Sequence, residues 1–119
     1  GTTHADHFHG PVPVTRVLTD DETQDDYEHN TGRVIAERFH AGGIDPARVP
    51  ACLDASHGPF TWGASVEEAL ENAIALEHIA AIALHTVALA ADAQPISRAL
   101  LDKHFDRKHG PAAYYGQRS

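Results

Sequence analysis

The chain has 119 residues, with nine basic and seventeen acidic side chains for a formal charge of −8, ten histidines, one cysteine and no methionine. That length holds one domain at most, and 42% hydrophobic residues is an ordinary globular composition that argues against intrinsic disorder. The acidic balance argues against a nucleic-acid or membrane-surface binder, which needs clustered Lys and Arg, and the single Cys52 excludes an internal disulfide framework and any C-x-x-C motif, as expected of a reducing, cytoplasmic compartment.

The first ten residues are polar and histidine-rich, without the apolar stretch and small-residue cleavage site of a signal peptide. Residues 11–18 (PVPVTRVL) alternate loosely and carry two prolines, which predicts a short strand at an edge or one that begins late. Thr19 and Glu22 form a T-x-x-E capping box with Asp20 and Asp21 in the first turn. This predicts a helix from about Asp20 to the Gly42-Gly43 stop, with apolar spacing only in its second half. Residues 49–58 (VPACLDASHG) predict a buried strand ending at His57, and PFTWG then turns into a second capping box, Ser65 with Glu68.

That box opens a long helix reaching about Ala91. It is nearly all apolar from Ala73 onward, but Glu77, His78 and His85 interrupt it. A bilayer span requires an unbroken run of about 20 apolar residues, so the expectation is a buried helix. A third helix lies between Pro95 and Gly110, with Lys103, Arg107 and Lys108 in its last turns. The tail PAAYYGQRS follows.

Several side chains are candidates for chemistry. His4, His7 and His9 are close enough in sequence for an H-x-H pair to serve a zinc site, but solvent-exposed histidines near a terminus are the commoner outcome. His78 and His85 share one side of the long helix and are expected in a core or at its rim. His57, closing a strand before Gly-Pro, would be held on rigid backbone at a sheet end, where α/β proteins present ligands and catalytic groups. Tyr114 and Tyr115 suggest that the tail docks, either on another subunit or back on the same chain.

Four separated segments, GTTHADHF, TDDETQDDYEHNTGRVI, SHGPFTWG and LLDKHFDRKHGPAAYYGQ, resemble in order and spacing the second half of the L-ribulose-5-phosphate 4-epimerase family, within the class II aldolase-like superfamily. SHGPFTWG alone points only to the superfamily; the closing LDKHFDRKHG and AYYGQ separate the epimerases from fuculose-phosphate-type aldolases. The resemblance implies an α/β/α sandwich, of which residues 1–119 would be the C-terminal part. It implies a catalytic Zn2+ with His57 as one of three histidine ligands, and Asp6 and Tyr115 as the two acid/base groups. It also implies a homotetramer of pentose (arabinose) catabolism in which Tyr115 reaches the neighbouring subunit's site. Thr2, Glu28, His104 and Arg107 fall at motif positions near the phosphorylated pentulose substrate or its supporting shell.

The implied reaction needs such a set. A hydrogen at carbon 4 of a 2-ketose is not acidic, so inversion there requires breaking the bond between carbons 3 and 4 and remaking it on the other face of the aldehyde. Charge on the resulting enediolate needs an electrophile such as zinc, and protons must be handled on both faces. The family's other two zinc histidines and most of its phosphate loops lie upstream of Gly1. His7 and His9 fall where the family carries aromatic residues and are not expected to replace them.

The absent Met fits a start further upstream, and the chain alone is expected not to epimerise and to expose sheet edges and apolar helix surface. Asp54, where the family has an apolar residue, needs an edge position or a partner, while Cys52 reads as a small core residue. The rivals are an aldolase that releases its aldehyde, and a non-catalytic remnant that self-associates. Neither nucleic acid nor membrane is an expected partner.

Overall fold

The computed structural model describes residues 1–116. Its elements are α1 (Thr2–Ala5), α2 (Asp20–Gln24), α3 (Tyr27–Gly42), β1 (Ala51–Asp54), β2 (Gly58–Thr61), α4 (Val66–Leu89) and α5 (Arg98–His109).

The helix expected over residues 20–42 begins where its capping box puts it. The Thr19 hydroxyl accepts from Glu22 N and the Glu22 carboxylate accepts from Thr19 N. It is then broken, because Asp25 is extended and Asp26 is left-handed (φ 52°, ψ 43°), a conformation that Asp tolerates better than most residues. The Asn30 amide closes the break by donating to the carbonyls of Glu22 and Asp25 at 3.0 and 2.7 Å, which gives acceptors left over at a helix end a partner. Glu22 also receives Arg16 and Arg33. Its bonds to Arg16, and next the one from Thr19 N, hold its carboxyl well below the usual carboxylate range.

β1 and β2 form an antiparallel hairpin with Cys52 opposite Phe60 and Asp54 opposite Gly58. The strand expected over residues 11–18 is reduced to a parallel bridge at Val14, where Leu53 N donates to Pro13 O and Thr15 N to Leu53 O. Pro11 and Pro13 have no N–H to donate, so pairing cannot extend back along them. β1 is therefore central, with both main-chain edges used. β2 lies within what was expected to be a turn, and Pro59 fits there because, among the described residues, β2 has only β1 as a neighbour.

Alternation along β1 sends Ala51 and Leu53 into a cluster with Phe8 and with Leu76 and Ile79 of α4. Cys52 is fully buried, as is Val34 of α3; burial pushes the Cys52 thiol up, as suits an inert core residue. Asp54 is buried and does have a partner: the Thr15 hydroxyl donates to it at 2.6 Å and accepts from Ala55 N. Mixed α/β packing is thus observed around a two-stranded sheet.

The second capping box forms with a shift. Ser65 accepts from Glu68 N, but the Glu68 carboxylate takes Ala64 N instead of Ser65 N. The helix it opens, α4, is not the buried helix expected. Only Asn72, Leu76 and Ile79 are buried, His78 and His85 are exposed, and every residue from 80 to 89 is exposed. Leu84, Val87 and Leu89 stand 70%, 58% and 89% open. By length and composition alone α4 could cross a membrane, although Glu77 lies within it. The apolar residues of its second half stand open, and the expected exposure of apolar helix surface is met here.

Candidate functional site

Asp6 follows the short α1, its N–H donating to Thr2 O at 3.0 Å, and Phe8 two residues on is fully buried. This anchored backbone, absent from the expected picture of a polar, frayed start, fixes where the carboxylate points. Opposite it, α5 presents His104 and Arg107 one turn apart. His104 Nδ1 donates to Asp6 Oδ1 at 3.0 Å, and a single Arg107 nitrogen, Nη2, lies 3.1 Å from both carboxylate oxygens. All three side chains are about four-fifths buried: Asp6 is 18% exposed, His104 17% and Arg107 22%. His109, which sequence reasoning missed, donates to the Asp6 carbonyl at 2.8 Å.

Tyr115 joins this group through Arg107. The tail folds back so that Tyr114 N and Tyr115 N both donate to Arg107 O, at 2.9 and 3.1 Å. The guanidinium carbon lies 4.2 Å from the centre of the Tyr115 ring. Within the single chain the tail thus docks on α5; Gln117 of the same motif lies outside the described residues.

The other histidines near Asp6 are not loose surface groups. His4 Nε2 donates to Gly10 O, and His9 is nearly buried, donating to Asp102 at 2.6 Å and packing on Phe105. Burial, and next the charge of Lys108, lowers the pKa of His7 from 6.5. Thr2, placed near the substrate by the resemblance, is exposed on α1 one turn before Asp6.

His57 stands elsewhere. β1 ends at Asp54, so His57 does not close a strand as expected. It lies in the hairpin turn, after a left-handed Ser56 (φ 66°), and is exposed. The turn is short because His57 N donates back to Asp54 O. The ring stacks on Phe60, and Nδ1 is hydrogen-bonded to the Tyr27 hydroxyl at 3.1 Å. The break at Asp25-Asp26 starts α3 afresh with Tyr27 as its first residue, and no sequence signal marked that. Glu28, beside Tyr27, is exposed.

A catalytic zinc takes three protein ligands around an open position. Among the described residues, no group of three or more His, Cys, Asp or Glu is arranged to hold a metal ion. The residues present therefore do not fit a metal held by this chain alone, and His57 would be a solitary ligand. The pairing of His7 and His9 considered for zinc does not form a site either, because His9 is committed to Asp102.

The Asp6 group can hold an oriented carboxylate beside a phenol, as acid/base chemistry requires. The His57 group can offer one imidazole with a fixed ring plane.

Comparison with known proteins agrees with the motifs. The chain is 45% identical over 118 residues to the L-ribulose-5-phosphate 4-epimerases UlaF of Salmonella paratyphi A and Salmonella typhi, a match covering 99% of this chain and 51% of each relative. The chain thus spans about half the length of the curated relatives it matches. Residues 1–84 match the family model of the class II aldolase and adducin N-terminal domain. With most of its length so matched, this chain belongs to the class II aldolase and adducin N-terminal domain family.

Proposed function

We propose that residues 1–119 are the C-terminal part of a single class II aldolase-like domain. Its α/β/α sandwich would be completed by residues outside this chain, and the whole domain would interconvert L-ribulose 5-phosphate and D-xylulose 5-phosphate. The observation that carries this reading is the Asp6 group. Residues from opposite ends of the chain meet at one carboxylate, with a phenol stacked on the arginine that binds it. The similarity to proteins named as 4-epimerases supplies the substrate.

In this reading one of the pair, Asp6 or Tyr115, takes the proton of the carbon-4 hydroxyl as the bond between carbons 3 and 4 breaks. The bonding electrons pass into the enediolate of dihydroxyacetone. The aldehyde, glycolaldehyde phosphate, then turns over, and the other group returns a proton to its oxygen as the carbon bond reforms on the opposite face. His104 occupies Asp6 Oδ1, which leaves Oδ2, shared only with Arg107, as the oxygen better placed for proton transfer. Zn2+ belongs to this reading as an ion for which His57 is one ligand, the rest coming from outside the chain. A homotetramer in which Tyr115 serves a neighbouring subunit belongs to it too, as does a cytoplasmic place in pentose catabolism.

The test is to assay this chain, and the same chain extended to the length of its relatives, with zinc and L-ribulose 5-phosphate. Turnover is expected only from the extended form. Turnover by the short chain overturns the half-site reading, and net release of glycolaldehyde phosphate identifies an aldolase instead. Mixing Asp6→Asn with Tyr115→Phe subunits of the extended form tests the shared site: activity restored by mixing is expected, and none if each chain's pair works alone.

A further inference from the structure

We propose that Arg107 is a positioning residue for two acid/base groups, its guanidinium seating Asp6 for the site of its own chain and its ring face and carbonyl seating the tail that carries Tyr115 for the adjoining site. The inference rests on the reading of Asp6 and Tyr115 as acid/base groups.

Three contacts at one residue carry it. Nη2 bridges the two oxygens of Asp6 at 3.1 Å each. The flat guanidinium face lies 4.2 Å from the Tyr115 ring centre, and the Arg107 carbonyl accepts from two successive tail amides. A lysine could match the first contact as a point charge, but it has no planar face for the second.

Burial separates the arrangement from a surface ion pair. With both charged groups about four-fifths buried, the contact is screened less than an exposed one. The Nε–H of Arg107 is also buried without an acceptor among the described residues. A direct substrate contact is disfavoured, since Nη2 and the ring face are already occupied.

The test has two arms. In this chain, amide exchange at Tyr114 and Tyr115 is followed by NMR beside the core amides of Leu76 and Ile79. Arg107→Ala is expected to speed the tail amides about tenfold, the scale of a lost cation–π contact, and to leave the core amides unchanged. Arg107→Lys, which keeps the charge for Asp6 and guards against a misfolded alanine variant, is expected to leave the tail amides fast as well. Equal acceleration everywhere shows a merely structural role and overturns the proposal, as does an unchanged tail.

In the extended chain, both variants are expected to lose kcat, alanine on the order of a hundredfold, at nearly constant KM, with lysine recovering part. A loss confined to KM makes Arg107 a substrate contact and overturns the proposal. Absence of turnover in the extended wild type refutes the epimerase reading, while the exchange arm still decides whether Arg107 seats the tail.

Discussion

The two ends of the molecule that carry its candidate chemistry are built to different degrees. Around Asp6 the chain closes on itself: α1, α5 and the tail all contribute, and the carboxylate, its carbonyl and the stacked phenol have partners within one polypeptide. Around His57 the chain supplies a stiff turn, one hydrogen bond from Tyr27 and one stacked ring, and leaves the imidazole exposed. In the proposed reading, this segment would carry the acid/base groups whole and only one ligand of the metal site. The last ten residues of α4 are as little covered, with Leu84, Val87 and Leu89 all more than half exposed, a large apolar patch for a soluble chain to leave open.

That contrast can be broken most severely from beneath the Asp6 end. Phe8 is fully buried against Ala51, Leu76 and Ile79, so Phe8→Ala should cost about 3–5 kcal/mol in urea unfolding and loosen the Asp6 contacts with it. A loss below about 1 kcal/mol, well short of that range, would mean that Asp6 is not anchored by the core.

Thr15→Val comes next. It removes the donor to buried Asp54 in the strand leading to His57 and should cost about 1–3 kcal/mol. A neutral result would show that Asp54 finds water or another donor.

A smaller effect should appear as a pH dependence. The pKa of His7 is depressed below 6.5, by burial first and Lys108 second, so the unfolded chain takes up this proton before the folded one does. His7 therefore contributes a stability loss as pH falls through about 6.5 towards its lower folded value, and none above. His7→Gln should flatten the stability profile between pH 7.5 and 5 relative to wild type, and an unchanged slope would assign the packing around Lys108 no electrostatic effect.

The least effect on stability is expected at the open end. His57→Ala should change unfolding stability by no more than about 0.5 kcal/mol, as for an exposed side chain. It should also abolish turnover in the extended chain. A large stability loss would mean that the turn depends on the imidazole and that the two ends differ less than the contacts indicate.

What the sequence determined by itself was local or motif-borne. Thr19 with Glu22, Ser65 with Glu68 and the Gly43 stop all act within about one helical turn, and they place α2, α4 and the end of α3 correctly. The four motif segments named the family for the same reason, since residue identity at fixed spacing needs no fold to be read.

Tertiary structure decided the rest, because those outcomes turn on which distant groups satisfy one another. Asn30 reaching back to Glu22 and Asp25 secures the break in a helix that the capping box and the glycine stop predicted as continuous. Leu53 uses both its main-chain groups on Pro13 and Thr15, which makes β1 central and lets the hairpin stop at Asp54, leaving His57 in a turn. The tail's contact with its own helix likewise needed Arg107 to offer a carbonyl and a flat cationic face at once. Buried donors and acceptors must be paired somewhere, and only the folded chain shows where.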